Sequence, residues 1–388
     1  MTHPFNGART SNWYVEETTA GVTPDNPVWT KIRDTGGIPT LIADTIESDE
    51  LNDSREKTII DIGNKRTEGE FAFELSSQSQ DDIIAAAMTS TWQSGFTEAA
   101  VEITVDAAAK TFTRTAGDFI TDGVKAGDLI AFPSLTGNNA KASIVTEVTA
   151  LVVTLGTSLK LEDEAAATTD YIVGDFIGTG SECKTVSILT WLRGKCGTVD
   201  KYFVTTGVEF TGFSVEAAVN ARITGSAPII GRELICDDAP PTGSTFNPDL
   251  TSVGYKPPLV GAVLDGATKL VSLTTGSYTN DNNSSAQYEL DDDFASFVER
   301  GTATNTFSGA AFMRDCDLLD RFIDGQSVSS HVVANGAEGA MSFSTPVLRL
   351  TAVTPDRGGD TSITQTIEGT ATGNTMQSSL VVQRIIYP

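Results

Sequence analysis

Side chains that carry chemistry are scarce in this chain. Two histidines, His3 and His331, and four cysteines, Cys183, Cys196, Cys236 and Cys316, are spread over 388 residues. No two cysteines form a CxxC pair, so the closely spaced thiolates or imidazoles of a zinc site are missing. The bland expectation is four free thiols, buried or half-buried. A P-loop, a GxGxxG turn, a GxSxG elbow and an HExxH helix are all absent. His331 would have to carry Ser/His or Cys/His catalysis alone, and its setting, Ser329-Ser330-His331-Val332-Val333, reads as an ordinary strand. The run Asp291-Asp292-Asp293 lacks the glycine and ligand spacing of a calcium loop and reads as a solvated turn. Neither an enzyme nor a bound cofactor or metal is expected.

No apolar run approaches the roughly 20 residues that span a bilayer. Met1-Thr2-His3-Pro4-Phe5 has neither a basic stretch nor an apolar core, so no signal peptide and no membrane insertion are expected, and the protein is read as made in a cytoplasm, where a Cys183–Cys196 disulfide is disfavoured. Positive charge is also short: 26 Lys and Arg against 51 Asp and Glu give a net charge of −25. Stable nucleic-acid binding needs the opposite balance. Like charge suits either simple solubility or a surface past which a polyanion must slide without being held.

What is abundant points to β-structure: 35 glycines, many Thr, Ser and Val, and few helical stretches. One motif occurs twice. Phe71, Phe73 and Leu75 alternate with Ala72 and Glu74, then Asp81-Asp82 start a short helix with Ile83, Ile84, Ala87 and Met88 on one side. Phe307 and Phe312 flank a second strand, and Asp315 and Asp317 precede Leu318, Leu319, Phe322 and Ile323 before Gly325. Further strand-like runs follow each copy: Thr185–Leu192, Tyr202–Phe210, Phe213–Val219 and Arg222–Ile230 in one, Val328–Val333, Pro346–Val353, Thr361–Glu368 and Ser378–Ile385 in the other.

Between the first helix and its later strands, residues 98–178 change texture to short β-runs separated by small-residue turns, such as Lys125-Ala126-Gly127-Asp128, which predicts a compact inserted barrel. The expected fold class is mainly β: a sandwich or barrel unit with one flanking short helix, present twice, plus a small inserted β-barrel. The first unit takes residues 1–97 and 179–236, a linker spans 237–250, and the second unit takes 251–388. The segment Asn12–Pro39 reads as an ordered arm packing through Trp13 and Trp29 rather than a regular element, and Asp44–Arg66 as a charged loop or contact finger.

Asn64-Lys65-Arg66, the strand Gly69–Leu75, the helix after Ser79-Gln80, and Gly212-Phe213-Ser214-Val215 followed by Arg222-Ile223-Thr224-Gly225-Ser226 together resemble the tail tube proteins of long-tailed bacteriophages, siphophage type. The barrel-like insert with Gly123–Asp128 is also similar to insertions in that family. The resemblance covers residues 40 to 235 best and reaches the C-terminal part only as the fainter second copy, where Thr361–Thr364 stands in for the strand of Ile223. It implies a virion tail protein, assembled in the host cytoplasm, whose inner sheet joins its neighbours' around a channel. Implied partners are further copies of itself, the tape-measure, tail terminator and tail tip proteins, and DNA in transit without specific binding. Two units per chain would let three chains, instead of six, build a pseudo-sixfold ring.

Alternation places Glu68, Glu70 and Glu74 on the face of their strand opposite Phe71, Phe73 and Leu75. They are candidates to line the channel, with Glu209, Glu216 and Glu368 from later strands; Thr304, Thr306 and Ser308 are the second copy's counterparts. Trp13, Trp29, Asp49, Glu50, Asp53, Arg55 and Lys57 are candidates for contacts between stacked rings. Two other readings stand beside this one: a virion decoration or host-adhesion protein binding surface glycans, and a cell-wall enzyme resting on unpatterned acidic residues. The inner tube of a contractile tail is a close variant of the first.

Overall fold

The computed structural model describes residues 3–48, 60–139, 141–156, 160–196, 198–248, 254–255, 259–358, 362–373 and 378–387. The first part of the chain forms β1 (Thr10–Glu16), β2 (Val28–Lys31), β3 (Thr40–Glu47), β4 (Ile60–Glu74) and α1 (Asp81–Ala87). The insert follows as β5 (Phe96–Asp106), β6 (Thr111–Arg114), α2 (Phe119–Asp122), β7 (Leu129–Ala131), β8 (Ser143–Val148), β9 (Val152–Leu155) and β10 (Glu164–Val173). The chain returns through β11 (Asp175–Gly178), β12 (Val186–Leu192), β13 (Lys201–Phe210), β14 (Gly212–Ala218), β15 (Thr224–Gly231), β16 (Leu234–Asp237) and β17 (Thr245–Asn247). The last part comprises β18 (Leu259–Asp265), β19 (Thr268–Asp281), β20 (Ser285–Gln287), β21 (Phe297–Glu299), β22 (Thr304–Phe312), α3 (Asp317–Ile323), β23 (Ser327–Asn335), β24 (Gly339–Asp356), β25 (Thr364–Ala371) and β26 (Val381–Ile386).

The same antiparallel pairings occur in both parts, in the same chain order. In the first, β1 pairs with β2 and β12, β12 with β13, β13 with β16, β14 with β15, and β4 with β15 and β3. In the second, β18 pairs with β19 and β23, β23 with β24, β24 with β26 and β25, and β22 with β25 and β19. Thus β13 and β14, separated only by Thr211, match the single long β24, while β2 and β3 match the single long β19. Phe71 and Phe307 lie at the same distance ahead of their helices, which begin at Asp81 and Asp317. Between the parts, β14 pairs with β19, which welds them into one sheet, and β11 pairs with β26.

Period-two alternation explains the core. Phe71, Phe73 and Leu75 from β4 and Phe307 from β22 are fully buried, in one apolar cluster with Ile83, Ile84 and Met88 of the first helix and Leu318 of the last. Each such side chain contributes about 1.5–3 kcal/mol on leaving water. α1 is buried on almost every side and α3 only at Leu318, so the first helix is the better seated. Arg384 fastens it: the guanidinium pairs with Asp81 at the start of α1 and with Asp175 of β11, and lies over the Trp92 ring. Burial pushes the Asp81 carboxyl up against the pull of Arg384.

Strands β5 to β10 close a barrel around Phe112, Phe119, Phe132 and Tyr171. Although inserted into the first part, the barrel is seated on the second. Val333, Ala340 and Ile385 belong to its apolar cluster, and Gln383 accepts from the Leu129 N–H and donates to the Gly127 carbonyl. Asn335 accepts from the Ala142 N–H at 2.8 Å and donates back to its carbonyl at 3.0 Å. His331 lies beneath this seat on β23, 2% exposed, and burial holds its pKa at about 4.

Several expectations are corrected. The arm around Trp13 and Trp29 is regular structure, because β1 and β2 pair with β12 and with each other, and β17 pairs parallel with β2. Residues 237–250, read as a linker, therefore contain a strand. Asp44–Arg66 is not one loop: both its ends belong to the β3–β4 hairpin. All four cysteines are exposed rather than buried, and none is paired.

Candidate inner sheet and subunit edges

The face of the sheet opposite the core carries a continuous polar row. Read across successive registers, it runs Glu74, Thr224, Glu216, Ser277, Ser308, Glu368 and Ala352, through β4, β15, β14, β19, β22, β25 and β24. The next row is Ala72, Ser226, Ser214, Thr279, Thr306, Thr370 and Arg349. Hydroxyls dominate, with three glutamates in one line and no large apolar side chain. Partners along a row lie close enough for their charges to act together.

The sequence candidates distribute unevenly over this surface. Glu70, Glu216 and Glu368 are exposed; Glu68 and Glu74 are half-exposed and paired with Arg66 and Arg222 respectively. Thr304, Thr306 and Ser308 are exposed on β22, on the same face. Glu209 departs from the group. It is 5% exposed, 2.6 Å from Arg300, and its carboxyl is pushed up by burial against the pull of that cation. Its carboxylate is engaged with Arg300 inside the subunit.

Trp13 and Trp29 are likewise turned inward, at 5% and 0% exposure, in a small cluster with Leu189, Tyr202 and Val204. Trp29 donates its indole N–H to Ser244 at 2.9 Å, and Trp13 donates to Ser11. Their rings are used within the chain, so neither is free to touch a stacked ring. Asp49, Glu50, Asp53, Arg55 and Lys57 lie outside the described residues. Just below them the hairpin exposes Ile46, Ile60 and Ile62, each by 60% or more. In the sequence the surrounding charges dominate the local pattern and mask these isoleucines; three β-branched residues at the borders of that charged run are the available signal.

The hairpin base is pinned from the other part of the chain. Arg66 pairs with Asp44 at 2.9 Å and reaches Tyr288, while Lys65 lies over the Phe294 ring. Arg232 bonds Asp292 and the Ala295 carbonyl. Thus the acidic run 291–293 serves as an internal clasp for Lys65 and Arg232.

The row of strands that carries this face is open at both ends. Among the described residues, β3 pairs only with β4, and β24 beyond Arg349 pairs only with β25. A row of strands with a polar face, a packed opposite face and an unpaired strand at each end is suited to lateral joining with like sheets. Compared with known families, the chain matches a model described as phage tail tube protein over residues 7–371. The chain belongs to the phage tail tube protein family. No curated protein gives a significant match. As a member of this family the chain is a structural component of the virion tail, not an enzyme. No described helix is long and apolar enough to cross a membrane.

Proposed function

We propose that this chain is the repeating subunit of a hollow, non-contractile tail tube, that each chain carries the tube unit twice, and that three chains close each ring. The observation carrying this reading is the recurrence of one pairing scheme on both sides of the β14·β19 weld, which gives a single chain two equivalent shares of a circular sheet. The row with Glu74, Glu216 and Glu368, with Glu68 and Glu70 nearby, would then face the channel, where fixed negative charge and hydroxyls give DNA no electrostatic well in which to rest. A tape-measure protein would occupy the channel before DNA, and terminator and tip proteins would bound the tube. The β3–β4 hairpin, with Ile46, Ile60, Ile62 and the charged residues 49–57, is assigned to contacts between stacked rings.

Negative-stain electron microscopy of the purified chain tests this reading. Hollow tubes whose rings contain three chains are expected. Rings of six chains would leave the tube function and remove the doubled unit, whereas monodisperse particles without a channel at any concentration would favour the glycan-binding adhesion reading.

A further inference from the structure

The two open edges of the sheet have counterparts that are not open. By the matched pairings, the end of β24 corresponds to β14, and the approach to β3 corresponds to the end of β19. Those counterparts are already joined inside the chain, Gly212 opposite Asp281 through to Ala218 opposite Thr275. Resting on the tube reading above, we infer that the β14·β19 weld is the template for the joint between chains: residues 350–354 of one copy pair antiparallel with residues 36–40 of a second copy, with Ala352 opposite Ile38.

The register follows residue by residue. Ser214 of β14 faces Ser226 of β15, which faces Ala72 of β4. In the other part, Ala352 of β24 faces Glu368 of β25, which faces Ser308 of β22. Superposing Phe71 on Phe307 superposes Ala72 on Ser308, and hence Ser214 on Ala352. On the opposite edge, Thr279 faces Thr306, whose counterpart on β4 is Glu70, and the strand that leads into β3 runs along β4 with Gly36 facing Ala72 and Thr40 facing Glu68. Ile38 therefore stands where Thr279 stands. Since Ser214 faces Thr279 in the weld, Ala352 faces Ile38 in the joint.

Two features of the edges fit a joint that forms only with the right partner. Each carries one proline, Pro39 and Pro355, and proline is confined to edge positions because it removes a donor from the ladder. Pro355 maps onto Ala217, a hydrogen-bonded position of the weld, so its missing donor is lost from the open side. Ile38 is also 43% exposed, an apolar residue left partly open to solvent at this edge. Two prolines and the bend at Gly37, which has a φ of +126°, make this joint shorter and weaker than the internal weld, so single chains fold before they assemble.

Disulfide trapping tests the joint. In the weld, Asn282 donates to the Thr211 carbonyl and Val219 to the Thr274 carbonyl, which makes Ser214–Thr279 a non-hydrogen-bonded pair. Such pairs bring Cα atoms to about 4.5 Å, within disulfide reach. The double variant Ile38→Cys, Ala352→Cys, assembled and then oxidised, should run on a denaturing gel as monomer, dimer and trimer, with nothing larger. Either single variant should remain at the background of the four native cysteines. The pair Gly36→Cys, Thr354→Cys, matched to Ser277 and Glu216, gives an independent readout if the first pair does not fold; a Cβ at Gly36 meets nothing within 4 Å. Tubes that form yet show no cross-link above the single variants with either pair would overturn the register and leave the tube reading intact. A wild-type chain that makes neither rings nor tubes would overturn both.

Discussion

His331 offers the sharpest energetic test of the way the insert is seated. It sits on β23 opposite Ala262 of β18 and Ser344 of β24, beside Gly156 of the barrel, and its Nε2 has no hydrogen-bond partner. Burial lowers its pKa from 6.5 to about 4. The unfolded chain therefore takes up a proton more readily than the folded one. The stability this difference supplies is complete above pH 6.5 and is lost as pH falls towards 4. Between pH 8 and pH 5 the loss is about 2 kcal/mol, and at pH 4 it reaches about 3 kcal/mol. Urea unfolding of unassembled chain, followed by far-ultraviolet circular dichroism, measures it. Wild type should lose about 2 kcal/mol more than His331→Gln on going from pH 8 to pH 5, whatever offset the substitution introduces at pH 8. Carboxylates that titrate in the same range are common to both proteins and cancel. Equal losses would refute the argument.

Reversing the charge row, with Glu74, Glu216 and Glu368 all changed to Lys, should leave tubes that retain DNA at low salt and release it at high salt in a mobility-shift assay; wild-type tubes should pass it freely, and unchanged behaviour would remove this face from the channel. Deleting residues 49–57 should give folded subunits that no longer polymerise into tubes, and normal tubes from that variant would exclude the hairpin from stacking. Replacing Arg384 with Ala leaves Asp81 buried without its cation, at a cost of about 3 kcal/mol in a urea titration at pH 7. Because protonation relieves an unpaired carboxylate, that cost should shrink as pH is lowered, and a cost independent of pH would argue against the pairing.

The sequence revealed most where one physical signal dominated. Alternation placed Phe71, Phe73 and Leu75 in the core and Glu70 and Glu74 on the opposite face, because register on a half-buried strand is dictated by which side must leave water. The short turns between 98 and 178 point to the barrel that β5 to β10 close. Long-range facts were hidden. Glu209 looked like any strand glutamate, because the cation that allows its burial, Arg300, lies on a distant segment. Trp13 and Trp29 looked like contact residues because their cover, Leu189, Tyr202 and Val204, comes from strands far along the chain. The polar row across seven strands could not be read at all, since it exists only once each register is fixed.

The insert's position has a consequence for how the molecule is made. The barrel spans Phe96 to Val173, yet Asn335, Gln383 and Ile385 on which it rests belong to strands near the other end. A ribosome delivers the barrel first and its resting place last, so the barrel must close on its own core and wait. Strand β11, which leaves the barrel, likewise finds β26 only when nearly the whole chain has emerged. Loop closure over such a separation is slow. A chain truncated before β26 lacks Gln383 and Ile385 from the barrel's seat and Arg384, the partner of Asp81. Only a finished chain therefore holds the barrel on its complete seat and the first helix on its cation.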